Sequence, residues 1–334
     1  MPAIYATLGG KDQVLIDAVG YGGTLFCGAT LVWLMNALAS VVRGTGNMRV
    51  PSVTILITSA LQIVVGGVLC LGLGPVPPMG LQGIAIGNIV ASGVGTGFLL
   101  WYLMTGQGRL TLRLRGVQLQ RGMFSDILKV GALACLSPLQ SVLTTLVFTG
   151  FVARLGTEAL AGYGIGQRLE FMLIPIAFGI GVASVPMVGM AVGAGQVPRA
   201  RRVAWIAGAV SAVNLGVVGL IVSTMPELWS SIFTQDAQVL ASASQYLRFA
   251  GPAFPLFGFG LTLYFASQGS GKVLGPVMAA TLRLALVITV GSWLASGAPE
   301  AWHYYALVAS AMLAYGIATA TAIWFTPWGN GVRS

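Results

Sequence analysis

The hydrophobic positions of this chain form long blocks, each of them long enough to cross a membrane as an α-helix. A spanning helix needs about 20 consecutive apolar residues. Nine blocks reach that length, at about residues 21–42, 52–73, 81–104, 127–153, 159–192, 203–225, 240–267, 274–296 and 302–326. The blocks lack the polar–apolar alternation of membrane barrel strands. The pattern therefore predicts an all-α integral membrane protein with about nine transmembrane helices.

Composition supports this prediction and excludes a nucleic-acid-binding protein. Hydrophobic residues make up 56% of the chain and charged residues only 7%, whereas charge is about a quarter of an average soluble domain. The net charge of +9 is spread over several loops, without a separate domain that would present a basic surface. Membrane lipids are the partners we expect for these charges, with no nucleic acid.

The Lys and Arg residues are concentrated in alternate loops, which indicates the orientation of the chain. One set of loops holds most of the basic residues: Arg43, Arg49, Arg109, Arg113, Arg115, Arg121, Lys129, Arg199, Arg201, Arg202, Lys272 and Arg333. The opposite set holds few basic residues and most of the acids. Because cytoplasmic loops carry the excess of basic residues, we expect a multi-pass protein of the cell (inner) membrane with a cytoplasmic carboxyl terminus.

Two short segments repeat the same pattern of glycine and proline. "RGTGNMRVP" runs from Arg43 to Pro51, and "QGSGKVLGP" runs from Gln268 to Pro276. A shift of 225 residues aligns them, and the match extends back without a gap to Tyr21 and Tyr246. Each copy is an apolar helix, a Gly-rich basic turn and a second apolar helix. Both turns are predicted to be cytoplasmic, so the copies are interpreted as parallel repeats about an axis along the membrane normal.

The repeat also predicts how the chain is divided into lobes. Three apolar blocks precede the second copy and none precedes the first, so the chain is interpreted as the last nine helices of a twelve-helix protein. We expect a partial amino-terminal lobe of three helices at 1–108 and a basic cytoplasmic linker at 109–126. A complete six-helix carboxyl-terminal lobe at 127–327 and a cytoplasmic tail at 328–334 would follow.

Three stretches resemble a known family. "GYGIGQRLEFMLIPIAFGIGVASVPMVGMAVGAGQVPRARR" (162–202) is similar to a helix signature of the multidrug and toxic compound extrusion (MATE) transporters. "ALASVVRGTGNMRVP" (37–51) and "GLGPVPPMGLQGIAIGNIVA" (72–91) look like further helices of that family. The resemblance implies a two-lobe fold and a secondary antiporter that exports drugs or organic cations in exchange for H⁺ or Na⁺. It implies no cofactor, small amphiphilic or cationic substrates, and a monomer.

Glu170 is the one acid that lies well inside an apolar block. Tyr163, Gln167 and Glu170 share one helix face by their spacing, so these polar groups are expected to line a common cavity. Ionisable residues inside a membrane are functional sites by default, and we predict that this one binds the coupling ion. The alternative is a structural ion pair with Arg168 or Arg283, the two basic residues expected within the membrane.

The family resemblance points to further candidates in both lobes. In the amino-terminal lobe, Gln62 and Asn88 fall at positions where the family often has polar residues, and Gly66 replaces its usual Asp. The pair is interpreted either as cation ligands or as hydrogen-bonding contacts between helices. In the carboxyl-terminal lobe, Gln140 and Thr145 stand where some relatives carry a Glu. Tyr264 is a further candidate for the cavity wall.

Proline residues are expected to kink the carboxyl-terminal helices, at Pro138, Pro175, Pro186, Pro252 and Pro255. Enzyme motifs and metal-ligand spacings are absent from the sequence, so we predict no enzymatic activity, no catalytic residues and no metal site. Two alternatives to the antiporter remain: a non-functional fragment of such a transporter, and a related lipid-linked saccharide flippase.

Overall fold

The computed structural model of the protein describes residues 12–106, 108, 110–112, 121–297 and 299–328. Within these residues the secondary structure is helical. The helices are α1 (Asp12–Gly44), α2 (Arg49–Leu71), α3 (Leu81–Met104), α4 (Arg121–Ala153), α5 (Thr157–Gly193), α6 (Val197–Thr224), α7 (Glu227–Ser230), α8 (Ala237–Ala250), α9 (Phe254–Ser270), α10 (Leu274–Ala295) and α11 (Ala301–Phe325).

Nine helical segments of the described chain are long and apolar enough to cross a membrane. They correspond one to one with the nine predicted blocks, which confirms the all-α membrane fold. The chain divides into two compact units, Met1–Leu119 and Gln120–Ser334. The predicted division into lobe, linker and tail, and the predicted axis between the repeats, remain predictions.

The first unit is held together by close approach of small residues. Helix α3 packs against both α1 and α2. A Cβ atom placed on Gly83 would lie 2.6 Å from the backbone nitrogen of Cys70, and one on Gly87 would lie 2.6 Å from the Cα atom of Gly66. Lipid provides little hydrophobic drive for helices to associate, so such backbone proximity supplies the packing energy.

The second unit has a larger core that is rich in aromatic residues. The largest fully buried side chains include Tyr246, Tyr304 and Tyr305. Small residues again bring helices together, since a Cβ atom on Gly260 of α9 would lie 2.9 Å from the Cα atom of Gly316 in α11. The core holds the polar side chains described below.

The predicted block at 240–267 is not one helix, because a 3₁₀ turn at Gly251–Ala253 separates α8 from α9. Pro252 lies in this turn and lacks the N–H that an α-helix would need. Pro255 follows in the first turn of α9, where no N–H partner is required. The other three prolines lie inside the continuous helices α4 and α5, and the kinks expected at them remain predictions.

The two repeated turns have the same backbone conformation. Gly46 has a φ of 86° and Gly271 a φ of 71°, a region that favours glycine. The backbone nitrogen of Gly46 donates to the carbonyl of Arg43 at 2.9 Å, and that of Gly271 donates to the carbonyl of Gln268 at 3.1 Å. The repeated sequence therefore forms the same local turn twice.

Candidate ion-coupling site

A small cavity in the second unit is lined by polar groups from four helices. Its volume of about 20 Å³ holds about one water molecule. The lining residues are Thr144, Thr145 and Phe148 of α4, Tyr163 and Glu170 of α5, Tyr246 of α8, Arg283 and Val287 of α10, and Val308 and Ala311 of α11. Glu170 is the one carboxylate among them.

Glu170 is held by a tyrosine from another helix. The hydroxyl of Tyr246 donates a hydrogen bond to Oε1 of Glu170, and the Tyr246 side chain is fully buried. The ring of Tyr163 packs edge-on against that of Tyr246, with centroids 5.3 Å apart. Gln167 Nε2 donates to the Tyr163 hydroxyl at 3.0 Å. The carboxylate is therefore oriented by a buried hydrogen bond, with a second tyrosine supporting the donor.

Two glycines of α5 allow Tyr246 to reach Glu170. A Cβ atom at Gly166 would collide with the ring of Tyr246. A Cβ atom at Gly162, one turn earlier, would lie 2.7 Å from the backbone nitrogen of Ala243. This spacing of two small residues four positions apart is a common helix-packing motif in membranes. The "GYGIG" segment thus brings α5 and α8 into contact beside the carboxylate.

Arg283 lines the same cavity and is held between aromatic rings. Its guanidinium carbon lies 5.0 Å from the ring centroid of Phe257 and 6.0 Å from that of Tyr315, which are distances for cation–π attraction. Its Nε atom is buried without a hydrogen-bond partner. No hydrogen bond or direct ion pair joins Arg283 to Glu170 among the described side chains.

The structure brings together four of the candidates named from the sequence. Tyr163, Glu170, Thr145 and Arg283 line the cavity. Gln167 does not line it and instead donates a hydrogen bond to the Tyr163 hydroxyl. The shared cavity expected for Tyr163, Gln167 and Glu170 therefore contains two of the three residues.

Three other candidates of the second unit lie away from the cavity. Arg168 is exposed, and its guanidinium carbon lies 5.1 Å from the ring centroid of Phe233. Gln140 Nε2 donates to Thr281 at 2.7 Å. The Tyr264 hydroxyl donates to the carbonyl of Ala134, also at 2.7 Å. The last two contacts join α4 to α10 and α9, so they stabilise helix packing.

Gln62 and Asn88 belong to the first unit. The Asn88 carboxamide oxygen accepts a hydrogen bond from Ser92 at 3.3 Å within α3. The backbone carbonyl oxygen of Gln62 would lie 3.3 Å from a Cβ atom placed on Gly87, and no side-chain hydrogen bond joins Gln62 to Asn88 among the described residues. The structure therefore does not show the side-chain hydrogen bond between helices that was one interpretation of this pair.

Sequence reasoning missed the most important partner of Glu170, which is Tyr246. The two residues are 76 positions apart, and a tyrosine in an apolar block is unremarkable by composition. The glycine spacing at 162 and 166 was the available signal that another helix packs closely on this face of α5. Among the residues that the structure describes, no group of three or more His, Cys, Asp or Glu side chains is placed to hold a metal ion.

Comparison with known proteins shows which family this helical architecture is similar to. The MatE family model matches residues 134–294, a range that includes Glu170, Tyr246 and Arg283. The chain is thus similar to the MATE family over just under half of its residues, and this match supports a MATE family transporter. The chain is therefore a multi-pass membrane protein, as the nine long apolar helices predicted.

The proteins to which this chain is similar carry different printed names. The "Probable multidrug resistance protein NorM" of Thermotoga maritima is 28% identical over 304 residues, covering 87% of this chain and 64% of the relative. An "FAD transporter" of Shewanella oneidensis is 24% identical over 265 residues, covering 79% and 58%. The chain thus spans about three fifths of the length of these relatives.

The fold is also similar to that of solved MATE structures. The bent form of the Vibrio cholerae MATE transporter VcmN matches with a TM-score of 0.82 at 19% identity, covering 95% of this chain and 72% of that one. At this identity the likeness concerns the fold. The residues around Glu170 must therefore be interpreted from their own geometry.

Proposed function

We propose that this chain acts in secondary active efflux, exporting drugs or organic cations across the cell membrane in exchange for H⁺ or Na⁺. The match to the MatE family model and the printed name of the NorM relative support an efflux substrate. The distribution of basic residues supports a cytoplasmic carboxyl terminus. We further propose that the protein acts as a monomer with small amphiphilic substrates and membrane lipids as its partners.

The observation that carries the proposal is a carboxylate in a cavity too small for a drug. Pockets for drug-sized ligands have volumes of about 300–1,000 Å³, whereas the cavity at Glu170 has a volume of about 20 Å³. A proton or a small cation fits there, and an organic cation does not. Glu170 is thus suited to bind the coupling ion and not the exported molecule.

The hydrogen bond between Glu170 and Tyr246 links binding of the coupling ion to the contact between α5 and α8. A hydrogen bond to a charged carboxylate is roughly twice as strong as one between neutral groups. Neutralising Glu170 therefore weakens the bond that joins α5 to α8. An ion that binds one arrangement of these helices better than another shifts the population between them, as coupled transport requires.

A transport assay tests this function on the chain itself. Purified protein is reconstituted in liposomes, and accumulation of the cationic dye ethidium is followed with an imposed ion gradient. We expect gradient-dependent dye transport that Glu170→Gln reduces at least about tenfold, because the variant lacks the carboxylate that binds the coupling ion. Glu158→Gln is the matched control, because Glu158 lies exposed at the start of the same helix.

Each result has a clear meaning. Equal transport by the Glu170→Gln variant and the unchanged protein would show that Glu170 is not the ion site. Transport of FAD but not of ethidium would contradict the organic-cation substrate and would still support a transporter. Absence of transport with both compounds would contradict the antiporter and support the alternative of a chain that does not transport.

A further inference from the structure

We propose that Arg283 makes the cavity at Glu170 selective for H⁺ over Na⁺, so that protons are the coupling ion. This inference rests on the proposed function and goes beyond it, because it names the ion and the residue that selects it. Arg283 is thus assigned as a specificity-determining residue.

The guanidinium of Arg283 has a fixed position beside Glu170. Arg283 and Glu170 line the same cavity, which has room for about one water molecule. Phe257 and Tyr315 both lie within cation–π distance of Arg283. Its positive charge is therefore a fixed part of the cavity wall.

The residues that line the rest of the cavity carry no second positive charge. Of the elements that line the cavity, α4 contributes the neutral hydroxyls of Thr144 and Thr145, while α5 and α8 contribute Tyr163 and Tyr246 beside the carboxylate. Helix α10 contributes Arg283, and α11 contributes only apolar residues to the lining. Arg283 is thus the one cationic group among the lining residues.

Several hydroxyl oxygens that line the cavity take part in hydrogen bonds. The Tyr246 hydroxyl donates to Glu170, the Tyr163 hydroxyl accepts from Gln167, and the Thr144 hydroxyl donates to the backbone carbonyl of Gln140 at 2.7 Å. A Na⁺ ion that leaves water needs several oxygen ligands in place of its hydration shell. The hydroxyls that donate keep oxygen lone pairs for a cation, whereas the Arg283 side of the cavity can only donate hydrogen bonds and supplies no ligand.

H⁺ and Na⁺ would bind at different distances from the guanidinium of Arg283. A proton binds directly to a carboxylate oxygen, and Tyr246 contacts only Oε1 of Glu170. A Na⁺ ion would instead occupy the cavity itself, between the carboxylate and the guanidinium. The guanidinium repels both positive charges, but the repulsion rises as the distance falls. Position relative to the guanidinium therefore favours the proton.

The unchanged protein gives the first test. Ethidium transport into liposomes is driven either by a pH gradient at equal Na⁺ or by a Na⁺ gradient at clamped pH. We expect the pH gradient alone to drive transport. Transport driven by the Na⁺ gradient would overturn this inference and leave the antiporter intact. Absence of transport with either gradient would overturn both.

Variants of Arg283 test whether this residue provides the selectivity. We expect Arg283→Gln to bind ²²Na⁺ at least about tenfold more tightly than the unchanged protein, because the repelling charge is removed. Arg283→Lys keeps a positive charge and is expected to stay proton-selective. Arg248→Gln is the control, since it removes an exposed arginine of α8 that does not line the cavity.

Binding of ²²Na⁺ is measured by equilibrium dialysis on purified protein, so it does not depend on transport. Equal Na⁺ affinity in the Gln variant and the unchanged protein would overturn the role of Arg283. If the Gln variant does not fold, Arg283→Lys and the gradient experiment on the unchanged protein still decide the question. Tight Na⁺ binding by either of these two proteins would contradict the inference.

Discussion

The two copies of the repeated helix–turn–helix share a turn and differ in the helix that precedes it. In the first copy, α1 runs unbroken from Asp12 to Gly44. In the second copy, the equivalent stretch is divided by the 3₁₀ turn at Gly251–Ala253, which aligns with residues 26–28. Pro252 has no counterpart in the first copy. The repeated glycines thus specify the turn, while the local presence of proline specifies the break.

The copies also differ in their chemistry. Arg283 of the second copy aligns with Thr58 of the first, and the Thr58 hydroxyl donates to the backbone carbonyl of Thr54 at 2.9 Å. A neutral, internally bonded side chain thus stands where the second copy has a charged residue in a cavity. The comparison teaches that one backbone pattern serves as a scaffold, and that a few substitutions convert one copy of it into a site.

The largest expected difference between the copies concerns the glycine near the end of the first helix. A Cβ atom at Gly269 would collide with the backbone carbonyl of Val185, whereas nothing lies within 4 Å of a Cβ atom at Gly44. We expect Gly269→Leu to cost about 3 kcal/mol or more through overpacking. Gly44→Leu is expected to cost less than about 1 kcal/mol. Thermal unfolding in detergent, followed by tryptophan fluorescence, measures both, and equal losses would contradict the difference in packing.

The next effect concerns the tyrosine that begins the aligned region. We expect Tyr246→Phe to lower ethidium transport about tenfold, because a hydrogen bond to a charged group contributes about 1.5–3 kcal/mol. Tyr21→Phe, at the aligned position of the first copy, is expected to leave transport unchanged within about twofold. Initial transport rates in liposomes give the comparison. Similar losses in both variants would show that the Tyr246 hydroxyl has no special role.

The shared turn predicts equal effects in the two copies. Gly46→Ala and Gly271→Ala each place a side chain on a backbone with positive φ, at a cost of about 1–2 kcal/mol. We expect the two variants to shift the unfolding midpoint by the same amount within error. A shift in only one of them would mean that the two turns are not equivalent in stability.

The smallest expected effect concerns a hydroxyl hydrogen bond that is present in both repeated turns. The Thr45 hydroxyl donates to the carbonyl of Val42 at 2.7 Å, and the Ser270 hydroxyl donates to the carbonyl of Ser267 at 2.8 Å. We expect Thr45→Val and Ser270→Ala each to cost about 0.5–1 kcal/mol. The unfolding midpoint is again the measurement, with the unchanged protein as reference. A stabilised variant at either position would contradict a favourable contribution from that hydroxyl.

Much of the fold was predictable from the sequence. The block at 81–104 matches α3 residue for residue, and the block at 274–296 matches α10 within one residue at its end. The hydrophobic pattern continues through the break between α8 and α9, so only Pro252 and Pro255 indicated a disruption there. Proline alone does not decide such a break, since Pro175 and Pro186 lie inside a continuous helix.

The site was predictable only in part. Glu170 was found because an isolated acid in an apolar block is costly and therefore conspicuous. Tyr163 followed from helix spacing, and Arg283 from its charge. Gln140 and Tyr264 were plausible by residue type, but their hydrogen bonds join other helices. Residue type identifies a group that needs a partner without identifying the partner.

The sequence by itself determined which segments are membrane helices and where the repeated turns lie. The physical reason is local, because every backbone polar group in the hydrocarbon must be bonded within its own segment. Only the tertiary structure decided that Tyr246 meets Glu170 and that Arg283 shares their cavity. Those contacts depend on how closely α5 and α8 approach at Gly162 and Gly166, a distance set by the packing of whole helices.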